Sequence, residues 1–506
     1  MSSFFLPSKR STKDRKRKKS VVRKPRPEKE VVKGPKKIKK TARDEEIDSE
    51  SDHERLVYIL VKERLDLPPT STKVERKPNG IKIVDDDEEE EETVAEKRLR
   101  LAKQYIAQVE EEELSKREDA ELDYDAIAHR LKEDVLREAG KLQRKVADTL
   151  CAPGIGDVRT LRGHQLPVTC LAVTPDDRFA FSGDKDGCII KWDLESGVKV
   201  HVFKCQKRRK REGKRGGRGR GRERDDTPGH AGCVLGLAVS SDGKFLASGG
   251  KGGAVHVWDA ETNAHIHKFT GHRDTVSGLA FQGSSHELFS CSLDRTVKIW
   301  NLDEMLYVET LFGHQDGVAA IDCLQREKPV TAGTDDRTVR IWKVVQESQL
   351  VFTGHKASID CVRLINEEHF ITGSQDGSIA LWAVVKKKPL VRRLHNSAVC
   401  EEGGGEGREV GSGWVTAVAA LPNTDLVASG SSNGHVALWK CGGDFRSLDS
   451  SFTVEVQGFV NCLQFAHSGS CLVAAVGQEH RLGRWWRDSS VRNCIAIIPL
   501  PRTQNC

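Results

Sequence analysis

The 506-residue chain contains no uninterrupted run of 18 apolar residues, so no membrane-spanning helix is expected. Its start, MSSFFLPSKRSTKDRKRKK, has no apolar stretch leading to a cleavage site, so a secretory signal is not expected. Fourteen cysteines are scattered without a C-x-x-C pair, several of them inside strand-like patterns (Cys170, Cys361, Cys462). Without zinc-type spacing they read as small buried hydrophobes in a reducing compartment, with no metal or cofactor expected. Tyrosine is scarce: of four, only Tyr307 lies beyond residue 150, which leaves little from which to build an aromatic cage for methyl-lysine. There is no phosphate-binding loop or H-E-x-x-H, so no enzyme is expected.

What the chain does have is repetition. The stretch 271–303, GHRDTVSGLAFQGSSHELFSCSLDRTVKIWNLD, alternates apolar and polar residues in short runs separated by turns, the pattern of successive antiparallel strands. Its Gly-His opening and Trp ending recur from His164 to Trp192, His230 to Trp258, His314 to Trp342 and His355 to Trp382. The His-to-Trp spacing is 28 residues in four copies and 27 in the last. This is the WD40 signature, in which each repeat supplies four strands to a propeller. In such a blade the His, a Ser or Thr, an Asp and the Trp form one buried hydrogen-bonded set, since buried polar groups must be paired. The expected sets are His164, Ser182, Asp186 and Trp192; His272, Ser290, Asp294 and Trp300; and His355, Thr372, Asp376 and Trp382. Gly252 replaces the Asp in the second copy and Ala332 the Ser in the fourth, so those two blades are expected to rely more on packing.

Two weaker copies complete the count. Residues 414–439 keep Ser429 and Trp439, with Asn433 at the turn and no Gly-His; residues 459–486 keep the strand pattern and Trp485. Together they predict an all-β, seven-bladed WD40 β-propeller over 157–502, closed so that no sheet edge is left at the join. Either Val158–Leu161 or Cys494–Ile498 could form the outer strand of the last blade, and the N-terminal segment is preferred.

The net charge of +6 hides a strong asymmetry: residues 8–40 carry a net +14 and residues 207–224 a net +9, leaving −17 elsewhere. Residues 1–92 show no apolar period and are expected to be disordered, basic and then acidic along Asp85–Glu92. The cluster Lys13, Arg15, Lys16, Arg17, Lys18 and Lys19 fits a nuclear or nucleolar import signal. Residues 93–150 are rich in helix formers, with broken apolar stripes (Leu99, Tyr105, Ile106; Leu131, Val135, Leu136) expected to dock on the propeller or on another protein. Between the first two blades, the insertion 204–228 carries Arg208, Arg209 and Arg211 and then interleaves Arg215, Arg218, Arg220 and Arg222 with Gly216, Gly217, Gly219 and Gly221, a composition suited to non-specific phosphate contact and stacking on single-stranded RNA.

Several strings are more particular than the generic repeat: RLKEDVL (130–136), LRGHQLPVTCLAVTPDD (161–177), YVETLFGHQDGVAA (307–320), INEEH (365–369), VGQEHRLGRWWR (476–487) and CIAIIPLPR (494–502). With these, the chain from 94 to 502 resembles the WD40 proteins of the U3 small nucleolar ribonucleoprotein. The resemblance implies a nucleolar, non-enzymatic protein that binds U3 small nucleolar RNA at its box B/C element, beside a small kink-turn-binding protein. It also implies a place among the small-subunit processome proteins that direct cleavage toward 18S rRNA. Loops on the propeller faces are the usual contact positions, so Arg273, Arg295, Arg337, Lys356, Arg481, Arg484 and Arg487 are the candidate RNA or partner contacts, with Trp486 for stacking. Competing readings are a generic nuclear scaffold and a ubiquitin-ligase substrate adaptor. The latter commonly carries Arg three residues after a blade Trp, and none of the corresponding residues, from Glu195 and Glu261 to Asp488, is Arg.

Overall fold

The computed structural model describes residues 99–100, 103–106, 124–139, 142–154, 156–205, 229–395, 413–483 and 486–503. The basic cluster 13–19, the acidic run 85–92, the insertion arginines 208–222, and Arg484 and Trp485 lie outside these residues. Seven four-stranded antiparallel sheets follow one another as blades 1 to 7: 168–203, 234–270, 276–312, 318–353, 359–394, 415–455, and 459–499 completed by 159–161. Together they form a seven-bladed β-propeller.

Burial falls from the inner strands outward. In blade 1 the first strand, Val168–Val173, is buried throughout, whereas the fourth, Lys199–Phe203, is exposed at every position but the last. Inner strands therefore read as near-continuous apolar runs, because a neighbouring blade covers each face. The packing units lie between blades: Cys170, Phe181 and Ile189 of blade 1 meet Val234, Leu246 and Trp258 of blade 2. Across the join, Ile190 and Trp192 of blade 1 meet Val473, Ile495 and Ile497 of blade 7.

In blade 7 the outer strand is Arg159–Leu161, paired antiparallel with Cys494–Pro499 (Arg159 opposite Ile497, Leu161 opposite Ile495). Cys494–Pro499 is the third strand, so the repeat does not end at Trp485 as its sequence suggested. Residues 478–493 are instead a long connection between the second and third strands, and Trp486 lies in it, 69% exposed. Blade 7 has no Trp in its third strand and is filled by aliphatic residues such as Ala474, Val476 and Ile495.

A helix, Tyr124–Ala139, precedes the propeller. Tyr105 donates from its hydroxyl to Asp134 at 2.9 Å, joining the short helical piece before it. The docking expected of this region falls on the residues after the helix. Arg144 forms backbone hydrogen bonds with Asn423 and Asp425 at the edge of blade 6, the Asp425 carboxylate accepts the N–H groups of Val146 and Ala147, and Leu142 and Ala147 are buried.

Candidate nucleic-acid interface

The loops that lead into each first strand share one face of the ring with the turns between second and third strands, and the buried polar sets hold them together. In blade 3 the Trp300 indole N–H donates to Ser290 Oγ at 2.8 Å, Ser290 reaches His272 Nε2 at 2.8 Å, and His272 Nδ1 reaches Asp294 at 2.9 Å. A carboxylate only accepts, so Nδ1 carries the proton and the Ser hydroxyl donates to Nε2. Burial pushes the His272 pKa down, consistent with a neutral ring. Asp294 is held down to about 2: burial opposes this, but Thr296, the Arg273 N–H and His272 all donate to it.

The other blades depart from the expected sets in informative ways. In blade 1 the carboxylate paired with His164 is Asp184, at 2.9 Å, rather than Asp186, because Asp184 ends the second strand facing the ring and also accepts the N–H groups of Asp186 and Cys188. In blade 4 the hydroxyl is supplied by Thr331, one residue before Ala332, which receives Trp342 at 2.9 Å and meets His314 at 2.8 Å. With His314 on Asp336 at 2.7 Å that set is complete, and the blade does not depend on packing alone. In blade 5 His355 meets Thr372, but Asp376 turns away to Arg392 and Ser378, and His355 Nδ1 finds no hydrogen-bond partner among the described residues. Blade 6 does have its histidine: His395, at the end of the preceding outer strand, lies 2.9 Å from Ser429. The stretch 396–414 separates it from the repeat, which hides it from a spacing search.

These sets place Arg273, Arg295, Arg337 and Lys356 on the same face, all exposed, in blades 3, 4 and 5. Asp274, Asp316 and Asp335 lie among them, so the face is of mixed charge. Arg295 and Arg337 are unusual in their backbone. They occupy the left-handed turn position, with φ of 72° and 53°, that glycine fills in blades 1, 2, 5 and 6 (Gly187, Gly253, Gly377, Gly434). An L-residue there costs about 1–2 kcal/mol, and such strain persists where the surrounding structure or a function holds it.

Arg481 does not join this group. A bulge recurs in the first strand of all seven blades, at Thr169, Leu235, Ser277, Ala319, Asp360, Thr416 and Asn461. These residues ring one mouth of the central channel. The side chains of Thr169, Ser277, Thr416 and Asn461 each donate to a first-strand carbonyl of the next blade (Val234, Val318, Val460 and Val168). Leu235 and Ala319 have no donor to offer, and the Asp360 carboxylate receives the Trp414 indole N–H instead. The Arg481 guanidinium, from the blade 7 connection, donates to the backbone carbonyls of Ala319 and Asp360 at 3.2 and 2.9 Å, joining blades 4 and 5. The 478–493 connection is clamped above the channel by Lys185, buried against Glu479 at 2.7 Å, and by the packing of Trp414 on His480. Arg487 is tied to Gln478 at 2.9 Å, and Trp486 is exposed.

Fold and repeats define a WD40-repeat scaffold. Residues 156–193, 222–259, 263–301, 306–343, 346–383 and 407–440 match the WD domain, G-beta repeat family; the three inner strands of blade 7, within 459–499, lie outside these six segments. The chain is 50% identical over 410 residues to human U3 small nucleolar RNA-interacting protein 2, covering 81% of this chain and 83% of the relative. It is 35% identical over 428 residues to the Arabidopsis thaliana U3 snoRNP-associated protein-like EMB2271, covering 81% and 86%. A crystal structure of RRP9 WD40 repeats matches with a TM-score of 0.63 at 51% identity, covering 70% of this chain and all of that one. The chain belongs to the U3 small nucleolar RNA-interacting protein 2 family, a family of non-enzymatic WD40 scaffolds.

Proposed function

We propose that this protein is a subunit of the U3 small nucleolar ribonucleoprotein, bound to U3 RNA at box B/C through the propeller face that carries the Gly-His loops. A kink-turn-binding protein sits beside it on the RNA, and within the small-subunit processome the assembly supports the cleavages that lead to 18S rRNA. Its place is the nucleolus, with Lys13 and Arg15–Lys19 as the import signal. The observation that carries the RNA reading is the pair Arg295 and Arg337, held exposed and strained beside Arg273 and Lys356. Guanidinium groups presented from rigid turns suit phosphate oxygens, and their fixed spacing favours a folded RNA over a random one. The arginines at 208–222 add attraction without selectivity, because cations that meet only phosphates release counterions from any phosphate chain.

The test is recovery of U3 RNA on immunoprecipitation of the full chain, set against other small RNAs across a salt series. Deleting 207–224 is expected to flatten the salt dependence and to weaken binding to all RNAs alike, with the preference for U3 kept. Depleting the protein is expected to raise unprocessed 18S precursor. If the intact protein recovers no more U3 than other small RNAs, the RNA assignment fails and a general nuclear scaffold remains.

A further inference from the structure

Blade 1 carries two aspartates where blades 3 and 4 use one. Asp184 takes the His164 contact and fixes the turn by accepting the Asp186 and Cys188 N–H groups, both at 2.9 Å. Gly187, with φ of 93°, lets the chain reverse there; a Cβ would sit 2.7 Å from the Gly232 carbonyl oxygen. The carboxylate of Asp186 is thereby released from the polar set and turned outward. The pairing of Ile189 with Phe203 then brings together Cys188, just before the third strand, and Cys205, just after the fourth. The carboxylate oxygen of Asp186 and the sulfurs of Cys188 and Cys205 all lie within 4.8 Å of one another, with Cys205 Sγ 3.9 Å from Asp186 Oδ2. A separation of 17 residues between the two thiols is invisible to a search for C-x-x-C; the hairpin closes it.

We propose that Asp186, Cys188 and Cys205 form a binding site for a divalent zinc-type ion. Two thiols and one carboxylate are the donor set that such an ion prefers, whereas magnesium and calcium favour oxygen alone. Tetrahedral zinc places sulfur at about 2.3 Å and carboxylate oxygen at about 2.0–2.2 Å, so its ligand atoms stand roughly 3.5–3.8 Å apart. Side-chain rotations that draw the donors in by an ångström or less reach that spacing without moving a strand. The nearby Asp184 carboxylate makes the pocket more attractive to a cation and less so to free thiolates. Burial pushes the Cys188 thiol up to about 12, so without a metal that ligand is a thiol. Binding replaces the thiol protons: the ion and two thiols yield a complex with two metal–sulfur bonds and two protons in solution, and affinity rises with pH. One coordination position stays open to water or to a donor from outside the trio. The ion would staple the end of blade 1's outer strand to the turn beside it. The inference is independent of the RNA reading.

Cobalt(II) titrated into the full-length, reduced, chelator-free protein tests this. The expected result is one equivalent of a thiolate-to-cobalt charge-transfer band, displaced by one equivalent of zinc with release of two protons. Cys188→Ser and Cys205→Ser are each expected to remove the two-thiolate band. Asp186→Asn should weaken cobalt binding by at least roughly tenfold, the lower end of what losing even an outer partner costs. Circular dichroism checks the fold of each variant, and protection of Cys188 and Cys205 from alkylation by zinc in the unaltered protein serves as a second measurement. The proposal is overturned if no such band forms at one equivalent, or if it persists in the Cys188→Ser/Cys205→Ser double variant. A disulfide between the two residues as the stable form, found by mass spectrometry of the protein before reduction, also overturns it.

Discussion

At the scale of the residue, the buried histidines tie the propeller's stability to pH. Burial pushes His230, His355 and His395 each down to about 4, although an ordinary histidine titrates near 6.5. In the unfolded chain they take up protons as pH falls through 6.5, while in the folded protein they stay neutral until about 4. Between those values the unfolded state binds more protons, so stability rises with pH, by up to about 1.4 kcal/mol per pH unit for each group. His286 has the opposite sign: hydrogen bonds to Asp303 and Asp242 raise its pKa, so its smaller, half-exposed contribution is present at low pH and fades as pH rises through the shifted value. The buried set outweighs it because it is larger and shielded from solvent. Denaturant titrations at pH 7 and pH 5 are expected to show a clearly lower midpoint at pH 5. Equal midpoints would mean that these rings are protonated or solvated in the folded state.

At the scale of the element, what could be read from sequence depended on whether a spacing stayed constant. The five His-to-Trp intervals located five blades and their strand order, since hydrogen-bonded hairpins allow little variation in length. One-residue adjustments inside a hairpin escaped: Thr331 replaces the expected position 332 because it lies 17 residues from His314, as Thr372 does from His355, whereas Ser290 lies 18 from His272. His395 was hidden by the stretch that follows it, and the third strand of blade 7, Cys494–Pro499, by the tryptophans that precede it in sequence. Arg481, which the sequence offered as a loop cation for RNA or partner contact, is half-buried and bonded to backbone. Its bonds to Ala319 and Asp360 make it a clasp between blades 4 and 5, beside an Asp360 that burial keeps above the usual carboxylate range. Arg481→Ala is expected to lose about 1.5–3 kcal/mol, the range for hydrogen bonds to a charged group. Recovered U3 should fall only as far as the folded population does. An unchanged denaturation midpoint with selectively lost U3 recovery would return Arg481 to the RNA-contact group.

At the scale of the whole molecule, the face and the fold make separable demands, and Arg295 and Arg337 are where they conflict. For the backbone alone, glycine is the better residue at both turns, as in blades 1, 2, 5 and 6, set against the exposed hydrogen bond that Arg337 Nη1 donates to the Lys356 carbonyl at 3.1 Å. Removing the left-handed strain gains about 1–2 kcal/mol per site, and the added freedom of the unfolded chain takes back about 0.5–1 kcal/mol. The Arg295→Gly/Arg337→Gly double variant is therefore expected to be as stable as the parent or slightly more so. If the two guanidinium groups meet phosphates, the same variant should recover markedly less U3, and its salt dependence should flatten by about 0.7 in logarithmic slope for each phosphate no longer neutralised. Arg295→Ala/Arg337→Ala removes the same charge but keeps the strain, so it should lose the RNA to a similar extent without the gain in stability. A double glycine variant that unfolds later and still recovers U3 in full would show that these arginines serve neither the fold nor the RNA, and would move the RNA-binding role to another part of the face.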